Sequence, residues 1–400
     1  MQSKIPKYNM IDLFSGVGGL SCGFMMEGFT PIFANDFDKE ISDSYIYNHP
    51  NIEFYFGDIK KLDYNVIGKE CDIKIDEVDI IVGGPPCQGY SMANRKRIEN
   101  DSRNFLFLEF VRCVKHFQPK CFLIENVLGM NAEKINEDNE DKSVMNTMHD
   151  YFKGIGYEVV FTSFKSEEYG VPQYRRRIMI IGTCIKDRMD PFRLGNLGLL
   201  TKSHKSIEMI RNKGNSDQLS FELADNNKLL NPVTVWEAIS DLPEIEAGEG
   251  SNEMDYLKVS QNDYQKIMRK NSIKLYNHKS TPHSEEALKR IKLIKQGENF
   301  RNLPEELKTK SVHSGAYGRL EQDFLSPTIT TRFDTPSTGR VIHPFNNRTL
   351  TVREAARLQS FPDAYKFIGS RTSQGKQIGN AVPPLVAKAI AKMFINDFLS

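Results

Sequence analysis

Between residues 10 and 182 the chain alternates short apolar runs with longer amphipathic stretches, and no other feature limits its fold so much. The runs are "MIDLF", "TPIFAND", "EFYFGDI", "VDIIVGG", "KCFLIENV", "YEVVFTSF" and "RRRIMIIGT". Short runs rich in Ile, Val and Phe read as strands, and strands spaced by helices predict an α/β sheet with parallel order. Such sheets place ligands beyond the carboxyl ends of their strands. The residues that end each run are therefore the ones to read for chemistry.

After about residue 185 the rhythm fails. Segments such as "RNKGNSDQLSFELADNNK" and "AGEGSNEMDY" are polar and irregular, which predicts a second, smaller domain. We place the first domain at 1–188 plus 372–400 and the second at 189–371, including "REAARLQSFP", a helix stopped by Pro362. Ser284 to Phe300 reads as one serine-capped amphipathic helix, and "NAVPPLVAKAIAKMFINDFL" as a proline-initiated helix that packs back on the sheet. The acidic tract Glu133 to Ser143 reads as a solvated loop.

Composition excludes several classes. With 53 basic and 52 acidic side chains the net charge is +1, so no global field draws the chain to a polyanion and any such site is a local patch. The six cysteines are scattered without a CxxC pair, which predicts free thiols in a reducing compartment and no metal site. No signal peptide is evident and no run approaches eighteen apolar residues, so the expected location is cytoplasmic, with no membrane partner.

Three successive run ends carry groups suited to a nucleoside. "IDLFSGVGGL" is a strand entering glycines and then a helix, although a tight strand-to-helix turn needs glycine anyway. Asp36 follows Gly16 by twenty residues, where a nucleotide-binding unit carries a carboxylate for ribose hydroxyls, and Phe37 beside it offers a face to an adenine. Asp58, after the third run, can accept from an adenine amino group. The glycine spacing is not GxGxxG, and "GSRTSQGKQ" lacks the Ser/Thr that a P-loop needs after its lysine. An adenosyl cofactor without phosphates fits better than a dinucleotide.

A different chemistry is set on the next runs. "DIIVGGPPCQGYS" leaves the sheet at Gly83-Gly84 and mounts Cys87 behind two prolines, ahead of a basic loop suited to lowering a thiol pKa and meeting phosphates. Cys113 and Cys121, in apolar sequence, read instead as small buried hydrophobes. "FLIENV" ends on Glu125, a carboxyl with apolar flanks suited to protonating a heterocycle nitrogen or, more plainly, to capping a helix. "QYRRRIMIIGT" alternates so that Arg175 and Arg177 share one face, ready for an anion or a carboxylate.

In this order "DLFSGVGG", "NDFD", "GDI", "GGPPCQGYS", "ENV", "QYRRR", "REAARLQSFPD" and "QIGNAVPP" resemble the motifs of DNA cytosine-5 methyltransferases of bacterial restriction-modification type. The resemblance covers about 10–182 and 325–394, and it implies a Rossmann-like S-adenosylmethionine-dependent methyltransferase fold with 189–371 as target-recognition domain. Cys87 would attack C6 of a flipped cytosine, Glu125 would protonate N3, and Arg175, with Arg177 to a lesser extent, would hold the base oxygen. Phe14, Gly16, Gly18, Leu20, Asp36, Phe37, Asp58, Ile59, Pro86, Leu106, Asn380 and Val382 would form the S-adenosylmethionine pocket. Aspartate and phenylalanine at 36 and 37 replace the glutamate and tryptophan common in relatives. The implied partner is double-stranded DNA, read by loops near 201–228 or 260–283, with a monomer as the expected state and a cognate restriction endonuclease as functional partner. A transfer-RNA cytosine-5 methyltransferase of the same family is the alternative.

Overall fold

The structure, a computed structural model, describes residues 8–74, 76–86, 106–132, 134–137, 140–185, 201–206, 229–309 and 314–400. All seven apolar runs form strands of one sheet: β1 (Tyr8–Leu13), β2 (Phe29–Asp36), β3 (Glu53–Phe56), β4 (Ile80–Gly83), β5 (Cys121–Asn126), β6 (Glu158–Lys165) and β7 (Arg176–Thr183). Their spatial order is β3-β2-β1-β4-β5-β7-β6. Strands β1 to β5 are parallel as expected, but β7 runs antiparallel to both β5 and β6. The expectation of an all-parallel order is corrected here, for a physical reason. Residues 166–175 between β6 and β7 are too few for the helical crossover that parallel neighbours require, so the chain turns straight back.

Alternation along the strands builds two cores. Met10, Ile80, Val82 and Leu123 face one side with Leu20 and Phe24 of α1 (Gly19–Met25) and with Val386 and Ile390 from the C-terminal helix, Pro384–Phe394. Their neighbours Ile11, Ile81, Phe122 and Ile124 face the other side, against Phe110 and Val114 of Phe107–Phe117 and Phe152 of Val144–Gly154. The C-terminal helix begins with proline in its first turn and packs on the sheet layer as its sequence predicts. Arg371–Leu399 meets the length and hydropathy test for a membrane span, yet 67% of its apolar window is buried inside the fold. It is a core element of this domain.

Other expectations change in detail. The acidic tract contains a strand pair, Lys134–Glu137 with Glu140–Ser143, rather than open loop throughout. The helix opened by Ser284, whose hydroxyl accepts from Ala287 N, ends at Leu293 instead of reaching Phe300. Thr351 and Glu354 form a reciprocal capping box at the start of α2 (Val352–Leu358), the helix of "REAARLQ". A third core holds Leu320, Phe333, Leu358 and Phe361 together with Val17, Cys22 and Ile41 from the N-terminal segment. Within it Arg357, fully buried, bonds Asp363 at 2.6 Å and Asp241 at 3.0 Å. A buried guanidinium is tolerable only when paired in this way.

Candidate active site

At the carboxyl edge of β1 the chain turns through Phe14 (φ 51°), Gly16 (φ 54°) and Gly18 (φ 87°) into α1. Positive φ at two glycines lets the backbone curl back under the end of β2, where Asp36 waits. Asp36 accepts from Gly16 N at 2.9 Å and from Asp38 N at 3.0 Å, so the carboxylate predicted for a ribose also fastens the glycine turn. Burial raises its pKa. Phe37, next to it, is 70% exposed, a bare ring beside a buried carboxyl. Asp58 is exposed and accepts from Lys60 N at 3.0 Å.

The other residues expected at the cofactor are divided between the two faces of the sheet. Gly19 lets the helix approach Val382 so closely that a Cβ would stand 2.2 Å from its carbonyl oxygen. Leu20 and Val382 share one apolar cluster, while Ile59, Leu106 and Phe14 share the other. Pro86 is half-buried at the end of the described β4 loop, and Asn380 is exposed at the end of its helix, Arg371–Asn380. "GSRTSQGKQ" lies on that helix, with Gly375 packed on Thr331 O, so it forms no phosphate loop.

The second cluster stands at the ends of β4, β5 and β7. Because β7 is reversed, its amino end meets the carboxyl end of β5, and Met179 pairs with Glu125. Glu125 is 8% exposed, and its Oε1 lies 3.3 Å from Arg177 Nε. Arg177 Nη1 donates to the carbonyl of Arg176 at 2.7 Å. Arg175 is fully buried and donates through Nη1 to Gly379 O at 3.1 Å, one residue before Asn380. Desolvation and then the neighbouring Arg177 pull its pKa down, against the opposing pull of Glu125. Arg177 rather than Arg175 thus contacts the carboxyl directly, while Arg175 ties this edge to the helix Arg371–Asn380.

Two atoms here lack hydrogen bonds among the described residues, Glu125 Oε1 and Arg175 Nε. Glu125 Oε1 is matched instead by its ion pair with Arg177, which leaves Arg175 Nε a buried donor open to an acceptor. Asn126 Nδ2 donates to Pro85 O at 3.1 Å, tying the "ENV" end to the proline loop. Cys87 lies outside the described residues. Cys113 and Cys121 are buried core thiols, and burial pushes Cys121 up to about 12.

Sequence reading missed several polar residues that support this edge. Asp12, completely buried inside β1, accepts from Ser21 Oγ at 2.6 Å, and Ser21 contacts Tyr45 Oη at 2.8 Å. Burial pushes Asp12 up to about 7. A lone carboxyl in "MIDLF" was the available signal. Gln173 and Gln359 form a buried amide pair at 2.9 Å, with Gln359 donating onward to Ile378 O at 2.7 Å. Their partners come from distant segments, which no local pattern reveals.

Comparison with known proteins agrees with this arrangement. The family model for C-5 cytosine-specific DNA methylase matches residues 8–396. The Type II methyltransferase M.DdeI of Desulfomicrobium norvegicum is 39% identical over 96% of this chain and 88% of its own length. The Type II methyltransferase M.AgeI of Thalassovita gelatinovora is 32% identical over 96% of this chain and 98% of its own. A solved structure described as a DNA modification methyltransferase encoded within an E. coli prophage superposes with a TM-score of 0.71 at 26% identity, covering 98% of this chain and all of the other. With sheet order, strand-end residues and whole-length similarity in agreement, the chain belongs to the C-5 cytosine-specific DNA methylase family.

Proposed function

We propose that this chain, a DNA cytosine-5 methyltransferase by family, takes its methyl group from S-adenosylmethionine and adds it to a flipped cytosine through a covalent adduct with Cys87. The observation that carries the reading is the meeting of Glu125, Arg177 and the Pro85-Pro86 loop at one strand edge, beside the glycine turn. Cytosine C5 is too weak a nucleophile to act alone. Addition of the Cys87 thiolate to C6, with proton donation from Glu125 to N3, makes C5 enamine-like. After methylation the C5 proton leaves and the thiolate is expelled, restoring both the ring and the enzyme. The base must leave the duplex for its ring face to be reached.

The residues present fit the cofactor. A positive-φ glycine turn with open space at Gly16, a buried Asp36 and an exposed Phe37 ring offer close backbone approach, a hydroxyl acceptor and a stacking face. S-adenosylmethionine supplies an electrophilic methyl group. Asp36, Phe37 and Asp58 would hold its adenosine, and Phe14, Gly16, Gly18 and Leu20 its methionine end, with Ile59, Pro86, Leu106, Asn380 and Val382 completing the wall. Arg175 and Arg177 would hold the base oxygen. Residues 189–371 would read double-stranded DNA as a monomer in the cytoplasm, protecting it from a cognate restriction endonuclease.

Tritiated cofactor offered with duplex DNA or with transfer RNA, followed by nucleoside digestion, tests this. Label in 5-methyldeoxycytidine is expected. Label confined to RNA would contradict it and favour the transfer-RNA alternative.

A further inference from the structure

Tyr365 is buried in the segment between α2 and the helix Arg371–Asn380, remote in sequence from the glycine turn. Its hydroxyl nevertheless donates to the carbonyl of Val17, between Gly16 and Gly18. A phenol carries one proton. With that proton on Val17 O, the oxygen can only accept from His49 Nε2, which lies 2.9 Å away. His49 is thereby fixed with its proton on Nε2, and its buried Nδ1 has no hydrogen-bond partner among the described residues. Desolvation holds the ring neutral by lowering its pKa to about 4.

Gly18 sits directly on this pair. A Cβ at Gly18 would lie 2.7 Å from Tyr365 Oη and 2.9 Å from His49 Nε2. The Tyr45 ring packs on His49 at 4.6 Å, and its hydroxyl continues through Ser21 to Asp12. From the other direction Asp363, two residues before Tyr365, bonds Arg357, Tyr256 Oη and the carbonyl of Met268. One hydroxyl therefore joins the region assigned to target recognition to the turn assigned to the cofactor.

We propose that Tyr365 and His49 are positioning residues that hold the Val17 carbonyl, and with it the Gly16-to-Gly18 turn, in the conformation that binds S-adenosylmethionine. The inference rests on the reading of that turn as the cofactor site. Neither side chain touches the reacting atoms. A turn fixed before binding loses less conformational entropy on binding, so the pair acts on cofactor affinity and not on the chemical step.

The test is calorimetric titration of S-adenosylmethionine into the full chain, beside steady-state kinetics. Tyr365→Phe removes the bond to Val17 and strands the His49 N–H. Tyr157→Phe is the control, because it deletes another buried hydroxyl-to-carbonyl bond, to Pro119 O at 2.5 Å, at the amino end of β5. Tyr365→Phe should weaken cofactor binding roughly three- to tenfold, the equivalent of one neutral hydrogen bond. Turnover at saturating cofactor should stay within about twofold, and Tyr157→Phe should bind as the native chain does. His49→Leu should reproduce the weakening and His49→Gln, which still presents an N–H, should largely restore affinity; these two decide the matter if Tyr365→Phe does not fold. Native affinity in Tyr365→Phe, or equal losses in Tyr157→Phe, would overturn the proposal. Failure of the native chain itself to bind S-adenosylmethionine would instead overturn the cofactor reading beneath it, in an arm that involves no variant.

Discussion

Glu125 Oε1 and Arg177 Nε face each other at 3.3 Å across the junction of β5 and the reversed β7. The relationship depends on strand direction. Were β7 parallel, its arginines would emerge at the opposite edge of the sheet, away from β4 and the glycine turn. The antiparallel insertion therefore puts a carboxyl and a guanidinium at one edge, the pair that the proposed mechanism uses as acid at N3 and donor at O2.

Replacing Glu125 with Gln removes the proton donor and keeps the shape. Methyl transfer should fall by about 100-fold or more, the usual contribution of a positioned acid. Cofactor affinity, measured by titration, should remain near native. A variant with undiminished kcat would remove Glu125 from the mechanism.

Cys87→Ala should abolish turnover in a radiolabel assay while the protein still binds S-adenosylmethionine, because the role proposed for the thiol is attack on the base and not contact with the cofactor. Surviving turnover would exclude it as nucleophile.

Asp12 gives the fold a defined pH dependence. Its folded pKa of about 7 lies above the unfolded value of roughly 3.9. The folded chain therefore holds a proton that the unfolded chain has already released, and the associated stability, complete below the unfolded value, is lost as pH rises through about 7. Asp12→Asn should be relatively more stable at pH 8 than at pH 5 when both proteins are unfolded in urea. An unchanged difference at the two pH values would show that Asp12 does not titrate there.

Gly19→Ala forces a Cβ to within 2.2 Å of Val382 O. Backbone must move, and destabilisation of about 1–3 kcal/mol is expected from overpacking of this kind. Arg357→Leu should cost more, about 3–5 kcal/mol, since it leaves Asp241 and Asp363 buried with their main partner gone. Denaturant melts measure both.

What the sequence makes legible is what short-range pattern encodes. Seven strands are visible because each is a compact apolar run, and Asp36 is visible because its distance from Gly16 follows from one strand-helix-strand unit. The reversal of β7 is not visible, since Ile178 to Ile181 look alike in either direction and only the short connection through residues 166–175 decides. Arginine roles are equally hidden: alternation places Arg175 and Arg177 on one face, but Gly379, which takes the Arg175 bond, comes from a helix far along the chain. Tyr365 and His49 escape notice for the same reason. Buried polar pairs are written in tertiary contact, not in spacing.

The measurement that bears most directly on the covalent mechanism uses duplex DNA carrying 5-fluorocytosine at a methylatable site, incubated with the chain and S-adenosylmethionine and then denatured. Fluorine cannot leave C5 as a proton does, so the adduct is held after methylation. The expected result is a denaturation-resistant protein–DNA species whose cross-link maps to Cys87 and which Cys87→Ala does not form. Efficient methylation of the ordinary cytosine with no adduct on its fluorinated counterpart would contradict addition by Cys87.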